Sequence, residues 1–191
     1  MAALVNLEGF GPLGTEVVAR VIHATARPDY ASTMIVPEAA AAAGVAAIAS
    51  NAPVVTDVEM VRAGLSGMTA LCGLVTPGFQ SMADAPATPA SSVGLTRTAA
   101  GMRAVLEAHP EGALVVVGCA PTALDEVVDR FEAGDIRPAL VVATPVGFVG
   151  ADDSKERLRQ SGLLCISNAG STGGSAVATA IVNALGRLAR G

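Results

Sequence analysis

Aromatic side chains and lysine are scarce in this chain of 191 residues. Aromatic residues make up 3% of it, tryptophan is absent, and Lys155 is the only lysine. Because 51% of the residues are hydrophobic, the core has to be built mainly from Ala, Val, Leu and Ile. Length and composition predict one domain that spans residues 1–191.

The residue types and segments that the sequence lacks argue against several kinds of binding partner and cellular location. A net charge of −5 provides no basic surplus to neutralise the phosphates of nucleic acid. No run of about 18 uninterrupted apolar residues is present, so no membrane span is expected. The N-terminus lacks a basic segment followed by an apolar one, and the three cysteines lie far apart, which predicts a cytoplasmic protein with reduced thiols. Two distant histidines and no C-x-x-C pair give no metal-binding pattern.

Strand and helix patterns alternate along the chain. Apolar, β-branched runs predict strands at 53–57, 68–75, 113–118, 138–146 and 163–167. Helical patterns occupy 57–64, 95–109, 120–134, 152–162 and 173–191, the Ala-rich segment 37–49 reads as a buried helix, and residues 76–93 read as a loop. The alternation predicts an α/β fold with three α/β/α layers around a mostly parallel, five-stranded sheet.

In such a sheet, ligands bind beyond the carboxyl ends of the strands, so the strand-to-helix turns are the candidate sites. Residues 168–176, NAGSTGGSA, could form an anion cradle with Ser175 as a helix N-cap, or a tight turn that needs glycine dihedrals. This turn is the only support for a nucleotide-binding, Rossmann-like protein. The turn does not match the GxGxxG motif, and no Walker lysine follows it.

Four other turn residues are candidates for the site. Phe148 is either an exposed wall for a flat ligand or is tucked under its loop. Lys155, early in a helix, opposes the helix dipole, and so does Arg97, which either binds a carboxylate ligand or pairs with an acid on the surface. Asp57 is most simply the N-cap of the helix that follows it.

The stretch RVIHATARPDY contains His23. On a helical wheel, the apolar residues 17, 18, 21 and 22 cover an arc of about 140°, and His23 lies outside it beside Glu16 and Arg20. A buried histidine is therefore disfavoured, which leaves either plain surface or a face turned toward a ligand or a partner subunit. His109, at a helix end before a proline, is typical of a favourable C-terminal cation.

Six segments of the chain, taken in order, match the motifs of one enzyme family. They are VVARVIHATARPDYA (17–31), PVVTDVEMVRAGL (53–65), LTRTAAG (95–101), VVVGCAPTAL (115–124), RPALVVATPVGFVGADDSKERL (137–158) and GGSAVATAIVNAL (173–185). Together they resemble precorrin-8X methylmutase, also called cobalt-precorrin-8 methylmutase. The resemblance implies a flavodoxin-like fold, a homodimer with the site near the subunit interface, and an isomerase of corrin synthesis that needs no cofactor.

The family resemblance also implies roles for individual residues. His23, in the RxIH motif, would be the general acid that protonates a tetrapyrrole while a methyl group migrates between neighbouring ring carbons. Arg97 would clamp a substrate carboxylate. The other implied substrate-binding residues are Arg20, Asp57, Thr122, Pro145, Gly147, Phe148, Lys155, Gly173, Gly174 and Ser175.

Three departures from the family pattern keep a second possibility open. The His23 helix begins by about residue 15, whereas a few tens of residues usually precede it. Cys119 stands where the family usually has Asn, and Ser171-Thr172 where a basic residue is usual. Each removes polar groups from the expected cleft, so a weakened paralogue that binds or carries a tetrapyrrole is the alternative to the active methylmutase.

Overall fold

The computed structural model describes residues 5–74 and 94–191. The helices are α1 (Pro12–Thr25), α2 (Tyr30–Thr33), α3 (Glu38–Ala49), α4 (Glu59–Gly64), α5 (Arg97–Ala108), α6 (Pro121–Glu132), α7 (Ala151–Gln160) and α8 (Ser175–Arg190). The strands are β1 (Met34–Ile35), β2 (Val54–Thr56), β3 (Ala70–Cys72), β4 (Leu114–Val117), β5 (Leu140–Ala143) and β6 (Cys165–Asn168). Across these residues, no helix is both long and apolar enough to cross a bilayer.

One sheet carries all the described strands, in the order β1-β6-β5-β4-β2-β3. Strands β2 to β6 are parallel, and β1 joins antiparallel to β6. The three-layer α/β fold and the five predicted strands are confirmed, but the sheet has a sixth strand. That strand, β1, was missed because its two residues are too short to show a periodicity. The predicted loop at 76–93 lies outside the described residues.

The two faces of the sheet carry separate cores. Helices α1, α3, α4 and α8 pack on one face, against side chains such as Val116 and Val142. Helices α5, α6 and α7 pack on the other face, against Val115 and Val141. Because alternate strand residues point to opposite faces, central strands buried on both sides read as the continuous apolar runs seen in the sequence.

Helix α1 is fixed at its first turn by contacts from two other helices. Gly11 precedes it and offers no side-chain cap, so the carboxylate of Glu38 accepts hydrogen bonds from the backbone N–H groups of Leu13 (3.0 Å) and Gly14 (3.1 Å). Near the same end, Glu16 pairs with Arg187 of α8 at 2.7 Å. Since Arg187 lies in the last turn of α8, α1 and α8 pack antiparallel, and the end of α1 lies beside the beginning of α8.

Candidate active site

His23 lies at the edge of the sheet where the parallel strands end. Strand β1 begins at Met34 opposite Asn168, the last residue of β6, so the segment that leads from α1 into β1 is at this carboxyl edge. His23 occupies the last turn of α1 and is exposed, as the helical wheel predicts. Arg20, one turn earlier, is exposed as well. Within residues 5–74 and 94–191, neither side chain has a hydrogen-bond or ion-pair partner.

Asp57 lies at the end of β2 and is 2% exposed. Its carboxylate accepts hydrogen bonds from the backbone N–H groups of Gly118 (3.0 Å), Cys119 (2.8 Å) and Ala120 (2.9 Å). The expected N-cap is wrong: α4 begins later, at Glu59, and has no side-chain cap. Burial raises the pKa of Asp57, and the three donors act against that by favouring the carboxylate. Asp57 therefore shapes the turn before α6 from below.

Arg97 begins α5 beside a group of threonine hydroxyls. Thr96 caps this helix by accepting a hydrogen bond from Ala99 N–H at 3.3 Å. Its hydroxyl also lies 2.7 Å from that of Thr122, in the first turn of α6, so the two helix N-termini are adjacent. The Arg97 guanidinium is exposed and pairs with no acid in the described part of the chain. This favours the reading in which Arg97 is available to a carboxylate ligand.

Cys119 lies in the turn after β4 and is exposed at the same edge. Partial burial and the nearby negative charge of Asp57 raise the pKa of its thiol. The thiol is therefore protonated near neutral pH and offers little nucleophilicity.

Phe148 and Val149 project from the turn between β5 and α7. They are 100% and 89% exposed, so the reading in which Phe148 is tucked under the loop is wrong. The turn is anchored by Gly147, whose backbone N–H donates to the carbonyl of Ser171 at 3.0 Å. Pro145, at the end of β5, is buried under it.

Lys155 does not reach the surface of the cleft. The side chain is 0% exposed, and its ammonium donates to the carbonyl oxygens of Gly170 (2.6 Å) and Thr172 (2.9 Å) and to Oδ1 of Asn168 (3.4 Å). Burial lowers the pKa of Lys155 to about 8. The expectation that Lys155 contacts the substrate needs correction: with no exposed surface, it can shape the cleft only through the loop that it holds.

That loop, residues 169–174, is called the glycine loop below. Gly174 N–H donates to the carbonyl of Thr144 at 2.7 Å, and a side chain at Gly173 would overlap the same carbonyl. Gly170 N–H donates to the carboxylate of Asp152 at 2.8 Å. Ala169 N–H also donates to the carbonyl of Thr33 at 2.8 Å. Three of the loop amides are thus occupied by the protein itself, which weakens the nucleotide-cradle reading.

Helices α7 and α8 each begin directly after a glycine, so the predicted N-cap at Ser175 is wrong. Gly174 is the N-cap of α8, and Ser175 is its first residue and is buried. Gly150, in the left-handed conformation at φ 75°, is the N-cap of α7.

Two residues of this edge were missed by the sequence analysis. Tyr30, the single tyrosine, is 2% exposed and begins α2. Asn168 donates from Nδ2 to the carbonyl of Thr172 at 2.7 Å. An apolar strand that ends in Ser-Asn was the available signal for Asn168, but no sequence pattern predicted that Tyr30 is buried.

The carboxyl edge therefore collects an exposed histidine, an exposed arginine beside two helix N-termini, and an exposed aromatic ring. This is a three-layer α/β enzyme with its candidate site at the strand ends. The profile of the precorrin-8X methylmutase (CbiC) family matches residues 1–188. The chain belongs to that family and is a methylmutase, an isomerase of corrin biosynthesis.

Individual relatives agree in sequence and in structure. The chain is 37% identical to the cobalt-precorrin-8 methylmutase of Methanocaldococcus jannaschii, over 88% of this chain and 77% of that protein. It is 38% identical to the precorrin-8X methylmutase of Pseudomonas aeruginosa, over 94% and 86% respectively. The solved structure of the precorrin-8X methylmutase from Thermus thermophilus superimposes with a TM-score of 0.82 at 34% identity, covering 95% of this chain and 89% of that one.

Proposed function

We propose that this chain moves a methyl group between adjacent ring carbons of precorrin-8X or its cobalt form, giving hydrogenobyrinate or cobyrinate, with His23 as the proton donor. The observation that carries the proposal is the exposed imidazole at the carboxyl edge of the sheet, which pairs with no group in the described part of the chain. An imidazole is suited to proton transfer near neutral pH. Because the product is an isomer of the substrate, the proton that His23 adds to the ring is matched by one that leaves it before release.

The substrate-binding roles follow from the chemistry of a large, flat ring that carries carboxylates. The guanidinium groups of Arg20 and Arg97 bind carboxylates, and Phe148 contacts the apolar ring face. The N-termini of α6, at Thr122, and of α8, after Gly173-Gly174, present backbone N–H groups to further carboxylates.

Supporting residues and assembly complete the proposal. Pro145 and Gly147 shape the turn that carries Phe148. The buried residues Asp57, Lys155 and Ser175 support the site from the protein interior. The exposed apolar pair Phe148 and Val149 supports a homodimer whose subunit interface lies near the site. The net charge of −5 supports an enzyme without a nucleic-acid partner, and the three cysteines far apart in sequence support a cytoplasmic location with reduced thiols.

The test is incubation with precorrin-8X and, separately, cobalt-precorrin-8, followed by the visible spectrum. Conversion of either supports the enzyme. A bound but unchanged chromophore would identify instead a paralogue that binds or carries a tetrapyrrole, and absence of binding would contradict both.

The role of His23 is tested by replacing each histidine. We expect His23→Ala to abolish turnover while the product still binds. His109→Ala is the matched control, because His109 ends α5 at the opposite end from Arg97. Turnover that survives in His23→Ala would exclude the acid role.

A further inference from the structure

We propose that Lys155 is a positioning residue for substrate binding: by holding the glycine loop from inside the protein, it fixes the turn that carries Phe148. The inference rests on the proposed contact between Phe148 and the face of the ring. It concerns how that contact is placed, because the buried Lys155 has no exposed surface with which to touch a substrate.

Phe148 depends on its backbone for its position. Its side chain is 100% exposed, so no residue that the structure describes packs over it. Gly147, directly before it, has φ 146°. Glycine permits this conformation at little cost but does not fix it, since glycine populates positive and negative φ about equally. The position of Phe148 is therefore set by the groups that hold the backbone of Gly147.

The backbone of this turn is held by the glycine loop. Gly147 N–H donates to the carbonyl of Ser171 at 3.0 Å. At the other end of the loop, Gly174 N–H donates to the carbonyl of Thr144 at 2.7 Å, and Thr144 Oγ1 donates to the carbonyl of Gly174 at 3.3 Å. The bond to Ser171 is the one nearest to Phe148 in the chain, so a displacement of Ser171 is expected to move the ring.

Lys155 holds the glycine loop on both sides of Ser171. Its ammonium donates to the carbonyl of Gly170 at 2.6 Å and to that of Thr172 at 2.9 Å. Asp152, one helical turn earlier in α7, accepts a hydrogen bond from Gly170 N–H at 2.8 Å. The loop is therefore fixed at residues 170 and 172, and the carbonyl of Ser171 lies between them.

These contacts form a closed circuit, because α7 directly follows the Phe148 turn. The chain runs from Gly147 through Phe148 into α7, which begins at Ala151. From α7 the side chain of Lys155 reaches the glycine loop, and the loop returns to Gly147. While the circuit is closed, the turn moves only if one of its links opens. Removing the Lys155 link is therefore expected to loosen the turn itself.

The first test measures the hydrogen bond that anchors the Phe148 turn. Amide hydrogen exchange at Gly147, followed by NMR, reports how often its bond to the glycine loop opens. The control is the amide of Gly112, at the opposite edge of the sheet, which donates to the carbonyl of Arg137 at 2.9 Å. We expect Lys155→Met to speed exchange at Gly147 about tenfold relative to Gly112. A lysine that only stabilises the fold would change both amides alike.

The second test asks whether the effect reaches the substrate through Phe148. Loss of a contact that is equally strong in the ground and transition states raises KM and leaves kcat unchanged. We expect Lys155→Met to raise KM about fivefold alone, and less than about twofold when Phe148→Ala is already present. Combined with Arg97→Gln, the full increase should remain, because α5 carries Arg97 and the circuit does not include that helix.

A milder variant decides if Lys155→Met does not fold. Asp152 is exposed, so Asp152→Ala removes one contact to the glycine loop without disturbing the core. Asp153→Ala is the matched control, because both aspartates lie in the first turn of α7 and lose the same interaction with the helix dipole. In the described part of the chain, only Asp152 of the two bonds to the loop. We expect faster exchange at Gly147 in Asp152→Ala and the native rate in Asp153→Ala.

The proposal is overturned if Gly147 keeps its native exchange rate relative to Gly112 in the folded variants. It is also overturned if Lys155→Met raises KM equally with and without Phe148→Ala, since Lys155 would then act on the substrate by another route. Failure of the proposed function is distinguishable: the native protein would convert neither substrate, whereas the exchange measurement needs no substrate and still shows whether Lys155 holds the turn.

Discussion

The carboxylate of Asp57 lies 2.8 Å from the backbone nitrogen of Cys119, and this hydrogen bond ties the end of β2 to the turn before α6. Asp57→Asn places an amide where three N–H groups now converge. We expect the free energy of unfolding to fall by about 2–4 kcal/mol, because buried donors lose their acceptor. Urea unfolding measures the change.

The matched control for that substitution is Asp153→Asn, an exposed aspartate in the first turn of α7. Only its favourable interaction with the helix dipole is lost, which amounts to less than about 1 kcal/mol. Equal destabilisation by the two substitutions would show that the contacts of Asp57 contribute no more than a surface charge does.

The capping of α1 by Glu38 gives a second prediction. Glu38→Ala leaves the N–H groups of Leu13 and Gly14 without their acceptor and should destabilise the protein by about 1–2 kcal/mol. Thermal unfolding measures it, with the exposed Glu111→Ala as the control. If the two variants have the same melting temperature, the stability of α1 does not depend on this cap.

The buried Lys155 gives a prediction about pH. Its pKa is lowered from 10.5 to about 8, so between these values the unfolded chain binds more protons than the folded one. The contribution of Lys155 to stability is therefore fully present above pH 10.5, decreases as the pH falls, and is lost once the pH has fallen through about 8. The whole effect is on the order of 3 kcal/mol.

The pH effect is measured as the difference between the native protein and Lys155→Met. Urea midpoints recorded from pH 7 to pH 10 should rise for the native protein relative to the variant. The buried thiols of Cys72 and Cys165, whose pKa values are raised by burial, titrate in both proteins and cancel in the difference. Parallel curves would mean that the folded Lys155 titrates as it does in the unfolded chain.

Arg97 gives a prediction about substrate affinity. Arg97→Gln should raise KM about tenfold or more and change kcat little, because a charge-assisted bond to a carboxylate contributes about 1.5–3 kcal/mol. Arg190→Gln is a control at the opposite edge of the sheet, where Arg190 lines a cavity with Asn51 and Thr69. An unchanged KM in Arg97→Gln would show that Arg97 does not bind a substrate carboxylate.

The sequence predicted those features that depend on local pattern. The exposure of His23 followed from the helical wheel, and α5 lies within the helical segment predicted at 95–109. The parallel strands followed from their apolar runs, whereas the two residues of β1 carried no such pattern.

The roles of Asp57 and Lys155 could not be predicted in the same way. Their partners are backbone groups 61 to 63 and 15 to 17 residues away, brought close only by the folded sheet. A polar residue after a strand resembles a ligand-binding residue in sequence whether it faces the cleft or the backbone beneath it.

The division of the helices between the two faces of the sheet bears on which molecules the site can accept. His23 is carried by α1 on one face and Arg97 by α5 on the other, with the strand ends between them. A molecule that contacts both has to extend over the whole width of the sheet layer. A single pyrrole with its carboxylates is too small to do so, whereas a macrocycle is wide enough. Selection by size thus results from the thickness of the fold, before any side chain discriminates between ligands.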